Sequence, residues 1–180
     1  LNRFTDAVID NIKHTLAQIE PDLFDQACKM LADTNHHLYI VGGRITHTLA
    51  DYLFLHMQAI RPKITHIQST SNAWPHYLLD VQPEDVFVIF DMRRYENNTL
   101  KLAEIAHSKG AKVILITDQW RSPVNNRIVV PSAWDSAATT LLLVETMIAS
   151  VQNLNWGDTK DRMEDLEDMF DQTKLFRKFI

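Results

Sequence analysis

The sequence predicts an α/β fold: a three-layer α/β/α sandwich around a five-stranded parallel sheet in the order 2-1-3-4-5, with additional helices at both ends. Three observations predict it. Five short apolar runs, "LYIVGG", "ITHIQ", "VFVIF", "KVILIT" and "RIVV", recur between stretches of helical periodicity. Runs such as Val113 to Ile116 are apolar without alternation, as expected where helices cover both faces of a sheet. No internal repeat or Gly/Ser-rich linker divides the chain. Residues 1–180 therefore read as one domain, with leading helices over 1–35, an α/β core over 36–153 and a helical tail over 154–180.

Each element has its own signal. In "LNRFTDAVIDNIKHTLAQIE", Phe4, Val8, Ile12, Leu16 and Ile19 stand three or four apart and form one apolar stripe of a helix. Pro21 suits the first turn of a second helix, where its missing donor costs nothing, and that helix runs on to about Thr34 and Asn35. Strands are expected over Leu38 to Gly43, Ile64 to Gln68, Val86 to Phe90, Lys112 to Thr117 and Arg127 to Val130. Between them fall helices over Thr46 to Ile60, Tyr77 to Val81, Asn98 to Lys109 with Gly110 as its stop, and Ser136 to Asn153. The tail from Gly157 clusters acids early and basic residues late, as a helix macrodipole prefers, with Met163, Leu166 and Phe170 on its apolar edge. The apolar edges of the first and last helices pack either on the core or on a second subunit.

Composition narrows the function classes. The 180 residues are 46% hydrophobic and 23% charged with a net charge of -5, which supplies a real core but no broad basic face for a phosphate backbone. The apolar runs are short and interrupted, so no membrane span is expected and a cytoplasmic setting is. Cys28 is the single cysteine and reads as core filler, with no disulfide. The eight histidines are scattered; even the adjacent His36 and His37 lack a third ligand at metal spacing, so neither metal nor cofactor is expected.

In an open parallel sheet of this order, ligands bind where the connections diverge, between strands one and three. The loops there are "GGRITH" and "DMRRYENNT". Gly42 and Gly43 offer bare backbone N–H groups, and Thr46 a hydroxyl at a helix start, an arrangement that suits an anion. Arg44 and His47 flank that loop and are either ligand contacts or solvated. Asp91, Arg93, Arg94 and Glu96 crowd the second loop. Either the arginines and carboxylates satisfy one another, or the arginine forks meet an anion from outside. Ser69, Thr70 and Ser71 follow the second strand and either bind sugar oxygens or cap the next helix. Asp135 and Ser136 pose the same choice at the last core helix. Trp74 and Trp120 read as packing aromatics, or as platforms for a sugar ring.

The order of two leading helices, "LYIVGG", a buried helix, "ITHIQST", "VFVIF", a turn, "KGAKVILIT" and "SPVNNRIVV" resembles the sugar isomerase (SIS) domain over essentially the whole chain. More narrowly it resembles the ligand-sensing half of RpiR/MurR-type transcriptional regulators. The resemblance implies a flavodoxin-like sheet, a homodimer or homotetramer, and a phosphorylated or otherwise anionic sugar derivative as ligand. It also implies that DNA is met only through a helix-turn-helix domain ahead of Leu1. In the family the turn after strand three usually reads S-x-S-G-x-T. Counting back from "KGAKVILIT" places the serines on Asp91 and Arg93, the glycine on Arg94 and the threonine on Glu96. In the first loop one family serine falls on Ile45 and the other on Thr46. The phosphate grip is thus rebuilt or lost, with Arg93 at a phosphate-contacting position and Arg94 narrowing the mouth. "FDMRRY" and "WDS" resemble a subgroup of these regulators.

Three readings follow: a non-catalytic sensor, a phosphosugar isomerase, or a ligand-free dimerisation scaffold. Isomerisation needs a base and a group that polarises a carbonyl. Glu96 and His47 are the nominees, but neighbouring arginines favour the ionised carboxylate and weaken it as a base. The sensor is the expected function.

Overall fold

The computed structural model describes residues 2–68, 70–92, 94–118, 127–129, 137–174 and 176, with backbone alone for 127–129. Five strands, β1 (Leu38–Gly42), β2 (Ile64–His66), β3 (Val86–Phe90), β4 (Lys112–Thr117) and β5 (Arg127–Val129), form one sheet in the order β2-β1-β3-β4-β5. All neighbours are parallel, with Leu38 opposite Val86 and Val86 opposite Lys112, so β1, β3 and β4 begin level.

Strand residues alternate between two cores. Leu38, Ile40, Val88, Phe90, Ile114 and Ile116 face one side, covered by α2 (Pro21–Ala32), α3 (His47–Ile60) and α6 (Ala137–Leu154). Tyr39, Val41, Phe87, Ile89, Val113 and Leu115 face the other, covered by α4 (Trp74–Leu79) and α5 (Asn97–Ser108). Both faces being dry explains why these runs lack polar alternation. By length and composition α6 is apolar enough to cross a membrane, contrary to the sequence expectation. Its Leu143, Val144, Met147 and Val151 are instead buried against the sheet and its neighbours.

The terminal helices are α1 (Asn2–Gln18), which packs on α6 and whose Asn11 donates to Thr139 at 2.9 Å, and α7 (Trp156–Thr173), which packs on α3 and α6. The α1 stripe is only partly used. Val8, Ile12 and Ile19 are half-buried, but Phe4 and Leu16 remain 51% and 49% exposed, and the residue most deeply buried is Thr15. In α7, Asp158 supplies the expected acid in the first turn, but no basic residue lies in the last turn. The helix stops at Thr173, and Lys174 follows it in the left-handed conformation at φ 53°.

Among the boundaries that differ from expectation are those of α4 and β2. The helix placed at Tyr77 to Val81 begins at Trp74, because Pro75 sits in its first turn, the position that proline favours. Strand β2 stops at His66, and beyond it the Gln68 carbonyl accepts from the Trp74 indole at 2.7 Å. That bond and 5% exposure make Trp74 a core residue. Cys28 is likewise core, with burial pushing its thiol up to about 11.

Arg61, which follows α3, is fully buried. Its guanidinium donates to the Leu31 carbonyl at 2.7 Å, to the His36 carbonyl, and through Nε to the Pro62 carbonyl at 3.1 Å. Leu31 lies in the last turn of α2, where carbonyls lack helical partners. Asn155 caps the adjacent Ala32 carbonyl, so side chains remote in sequence close the end of α2.

Candidate functional site

The two loops predicted to meet do so. The chain turns from β1 into α3 through Gly43 to Thr46, and from β3 into α5 through Asp91 to Glu96, both at the carboxyl rim of the sheet where the connections diverge. Between them lies a cavity of about 350 Å³. Gly43, Arg44, Ile45 and Thr46 line it from the first loop, and Asp91, Met92, Arg94, Tyr95 and Glu96 from the second.

The bonding inside this rim departs from expectation in an informative way. The Gly43 N–H donates to the Phe90 carbonyl at 3.2 Å and to Thr46 Oγ1 at 2.9 Å. The Thr46 hydroxyl in turn donates to the Phe90 carbonyl at 2.8 Å. These groups therefore fasten the first loop to β3 instead of facing the crevice as bare donors. Satisfying buried polar groups this way is the usual requirement of an interior. Neither glycine has a positive φ. Gly42 is needed for closeness: a β-carbon there would stand 2.5 Å from the Thr46 carbonyl carbon and oxygen.

One first-loop donor does face the second loop. The Arg44 N–H donates to Glu96 Oε1 at 2.9 Å, and that oxygen lies 3.0 Å from where a Gly43 β-carbon would stand. The Glu96 N–H reaches Asp91 Oδ1 at 3.4 Å. Asp91 is 1% exposed, and its own N–H donates to the Ile116 carbonyl at 3.0 Å, joining the turn to β4. Arg44 and Arg94 are exposed at the rim. Among the described lining residues, two arginines thus face two carboxylates.

Of the other candidates, Thr70 is exposed at the start of a 3-10 turn and does not line this cavity, while Ser71 accepts from Asn98 at 3.2 Å, at the start of α5. Arg93, Ser69, Ser136, Asp135 and Trp120 lie outside the described residues. Sequence reasoning gave no role to three cavity residues. Ile45 is 53% exposed at the mouth. Met92 takes a weak hydrogen bond from the Thr140 hydroxyl at 3.7 Å. Tyr95 donates through its hydroxyl to Asp118, just after β4. An aromatic residue within "FDMRRY" was the one available signal for Tyr95. Among the described residues no group of three or more His, Cys, Asp or Glu side chains is placed to hold a metal ion.

His47 turns away from the cavity and stacks on His66, ring centroids 4.6 Å apart, with Phe54 on the other partner at 5.5 Å. Burial, then the neighbouring His47, push the His66 imidazole below its ordinary value, against the pull of Asp51 at 3.4 Å. His37 is lowered in the same direction by burial. A base lowered on folding binds fewer protons in the native state. Its contribution is whole above the unfolded value near 6.5 and is lost as pH falls toward and through the folded one. The thermal midpoint is therefore expected to drop between about pH 7.5 and about pH 5.5, and His66→Asn to shrink that drop. An undiminished drop in the variant would assign the effect to other groups.

A larger cavity of about 630 Å³ lies at the opposite rim, but its Asp85 is committed to the N–H groups of His37 and Gln82 at 2.9 and 2.8 Å.

Comparison with known proteins gives this rim a context. No functionally curated protein matches the chain. Among solved structures, it is similar to the sugar isomerase domain of the RpiR transcription factor from Sphaerobacter thermophilus, at 18% identity and a TM-score of 0.82, covering 92% of this chain and 96% of that one. It is similar to the Vibrio vulnificus NanR protein complexed with ManNAc-6P, at 14% identity and 0.77, covering 97% and 69%. A phosphoheptose isomerase from Francisella tularensis follows at 16% and 0.69, covering 84% and 96%. At these identities the likeness establishes the fold. The SIS domain model matches residues 30–150, from the last turn of α2 into α6 and including both loops of the cavity, and the chain belongs to the SIS domain family.

Proposed function

We propose that the chain is the effector-sensing domain of a bacterial transcriptional regulator of the RpiR/MurR type. It binds a small anionic sugar derivative, such as a sugar phosphate, and signals to an attached DNA-binding domain in the cytoplasm. The observation that carries this reading is the cavity at the divergence of β1 and β3, with Arg44 on one loop and Arg94 on the other. Arg93 precedes Arg94 in the sequence and adds a third cation there. A guanidinium matches phosphate or carboxylate with two parallel donors. One of the similar structures is the sugar isomerase domain of a transcription factor, and the NanR structure holds ManNAc-6P, whose class the proposal carries over.

Signalling requires unequal affinity for two arrangements of the protein. A homodimer or homotetramer supplies them, and the exposed Phe4 and Leu16 on α1 are apolar surface that a second copy would cover.

The test is a thermal-shift panel of sugar phosphates, sugar acids and neutral sugars, read on the chain and on Arg93→Ala and Arg94→Ala. One anionic sugar at about 100 times its Kd should raise the midpoint by roughly 5 °C or more. Arg93→Ala should lose that gain, and Arg94→Ala should lose less. Equal shifts by neutral sugars would remove the anion reading, and a flat panel would leave a dimerisation scaffold. Conversion of a sugar phosphate in the mixture would make the domain an isomerase.

A further inference from the structure

We infer that Glu96 is a tethered occupant of the anion position in this cavity, so that an incoming oxyanion has to displace it and binds more tightly once its charge is gone. The inference rests on the reading that the cavity takes an anion.

The backbone N–H groups of Gly43 and Arg44, both in the first loop, have different fates. The Gly43 N–H is spent inward, on Phe90 and Thr46. The Arg44 N–H points across to the second loop, and the oxygen it meets at 2.9 Å is a carboxylate oxygen of the same chain. That oxygen lies 3.0 Å from where a Gly43 β-carbon would stand, in space that the glycine leaves open. A carboxylate shares with a phosphate the features that such a donor recognises: negative charge and oxygen acceptors without protons. The two cannot hold the same N–H, and two like charges within a few ångströms repel.

The charge balance of the rim supports the same conclusion. Arg44 and Arg94 are already matched in number by Asp91 and Glu96 among the described lining residues. Asp91 is built into the turn, being 1% exposed and accepting from the Glu96 N–H. Glu96 is half-buried at the edge of the cavity, immediately before α5, and its side chain crosses a gap between two loops. It is the carboxylate that is able to leave. A ligand that expels it also breaks the side-chain link between the first loop and the start of α5, and so joins occupancy to the freedom of the second loop.

The experiment is calorimetric titration of inorganic phosphate into the 180-residue chain and into Glu96→Gln and Glu96→Ala, with the Arg44 amide followed by NMR. Glutamine keeps an acceptor for the Arg44 N–H while removing the charge, and alanine removes both. Phosphate should bind Glu96→Gln about tenfold more tightly than the parent, and Glu96→Ala more tightly still, with the Arg44 amide resonance moving on addition. Equal affinity in all three would overturn the tether while leaving the anion site standing. Weaker binding in the variants would make Glu96 a ligand contact and overturn the inference as well. No binding to any of the three would remove the tether and the anion reading together. The Glu96→Gln melting point, expected to stay near the parent value, guards against misreading a folding defect.

Discussion

Arg61→Met is expected to lower the free energy of unfolding by about 3 kcal/mol or more, with an unchanged dependence on urea. The fully buried guanidinium serves the carbonyls of Leu31, His36 and Pro62. Methionine fills much of the same space but donates nothing, so the buried Leu31 carbonyl at the end of α2 and the part-buried carbonyls of His36 and Pro62 lose their donor. Each such loss costs on the order of 1 to 3 kcal/mol. The cation itself is under strain from its surroundings: burial lowers Arg61 from its ordinary value to about 10, which leaves it charged at neutral pH. Arg61→Lys should fall between parent and methionine, because one ammonium cannot span carbonyls that come from three segments of chain. A methionine variant as stable as the parent would mean that α2 closes its end without help.

Gly42→Ala is expected to be equally severe, for a steric reason. The added methyl would lie 2.5 Å from the Thr46 carbonyl group and 2.6 Å from the His47 nitrogen. Backbone cannot swing aside as a side chain can, so the first turn of α3 must move off β1. A loss of roughly 3 kcal/mol or more follows, together with any ligand response of the rim. Gly43→Ala is the internal comparison. There the nearest atom is Glu96 Oε1 at 3.0 Å, the end of a flexible side chain. That variant should cost less than about 1 kcal/mol. Similar stability losses in the two variants, measured by urea unfolding, would contradict the account.

The contrast between these residues explains what was legible in the sequence. Strands β3 and β4 and the junction of the two loops followed from runs whose apolar character is continuous, because both sheet faces are covered. Composition encodes that coverage directly. The role of Arg61 is encoded nowhere near it. Its partners are carbonyls up to 30 residues away, and a carbonyl carries no residue signature. The same reason hid the inward use of Gly43 and Thr46, whose common acceptor is the Phe90 carbonyl. Glu96 was visible as a charged neighbour of arginines, yet its partner is a backbone N–H in the other loop. Tyr95 carries no sequence signal of its role because Asp118, which it meets, lies beyond the following helix and strand. Sequence pattern therefore located the rim, and only three-dimensional structure identified which of its polar groups are already engaged.

The bond from Thr46 to Phe90 carries a mechanical consequence. It bolts the base of the cavity to the middle of the sheet, where β3 is held between β1 and β4, so a guest arriving there presses on an anvil. The yielding parts are the walls, above all the segment that ends in Glu96. In the proposed sensor, displacement of that segment would be felt first at the start of α5, on the opposite side of the sheet from α3.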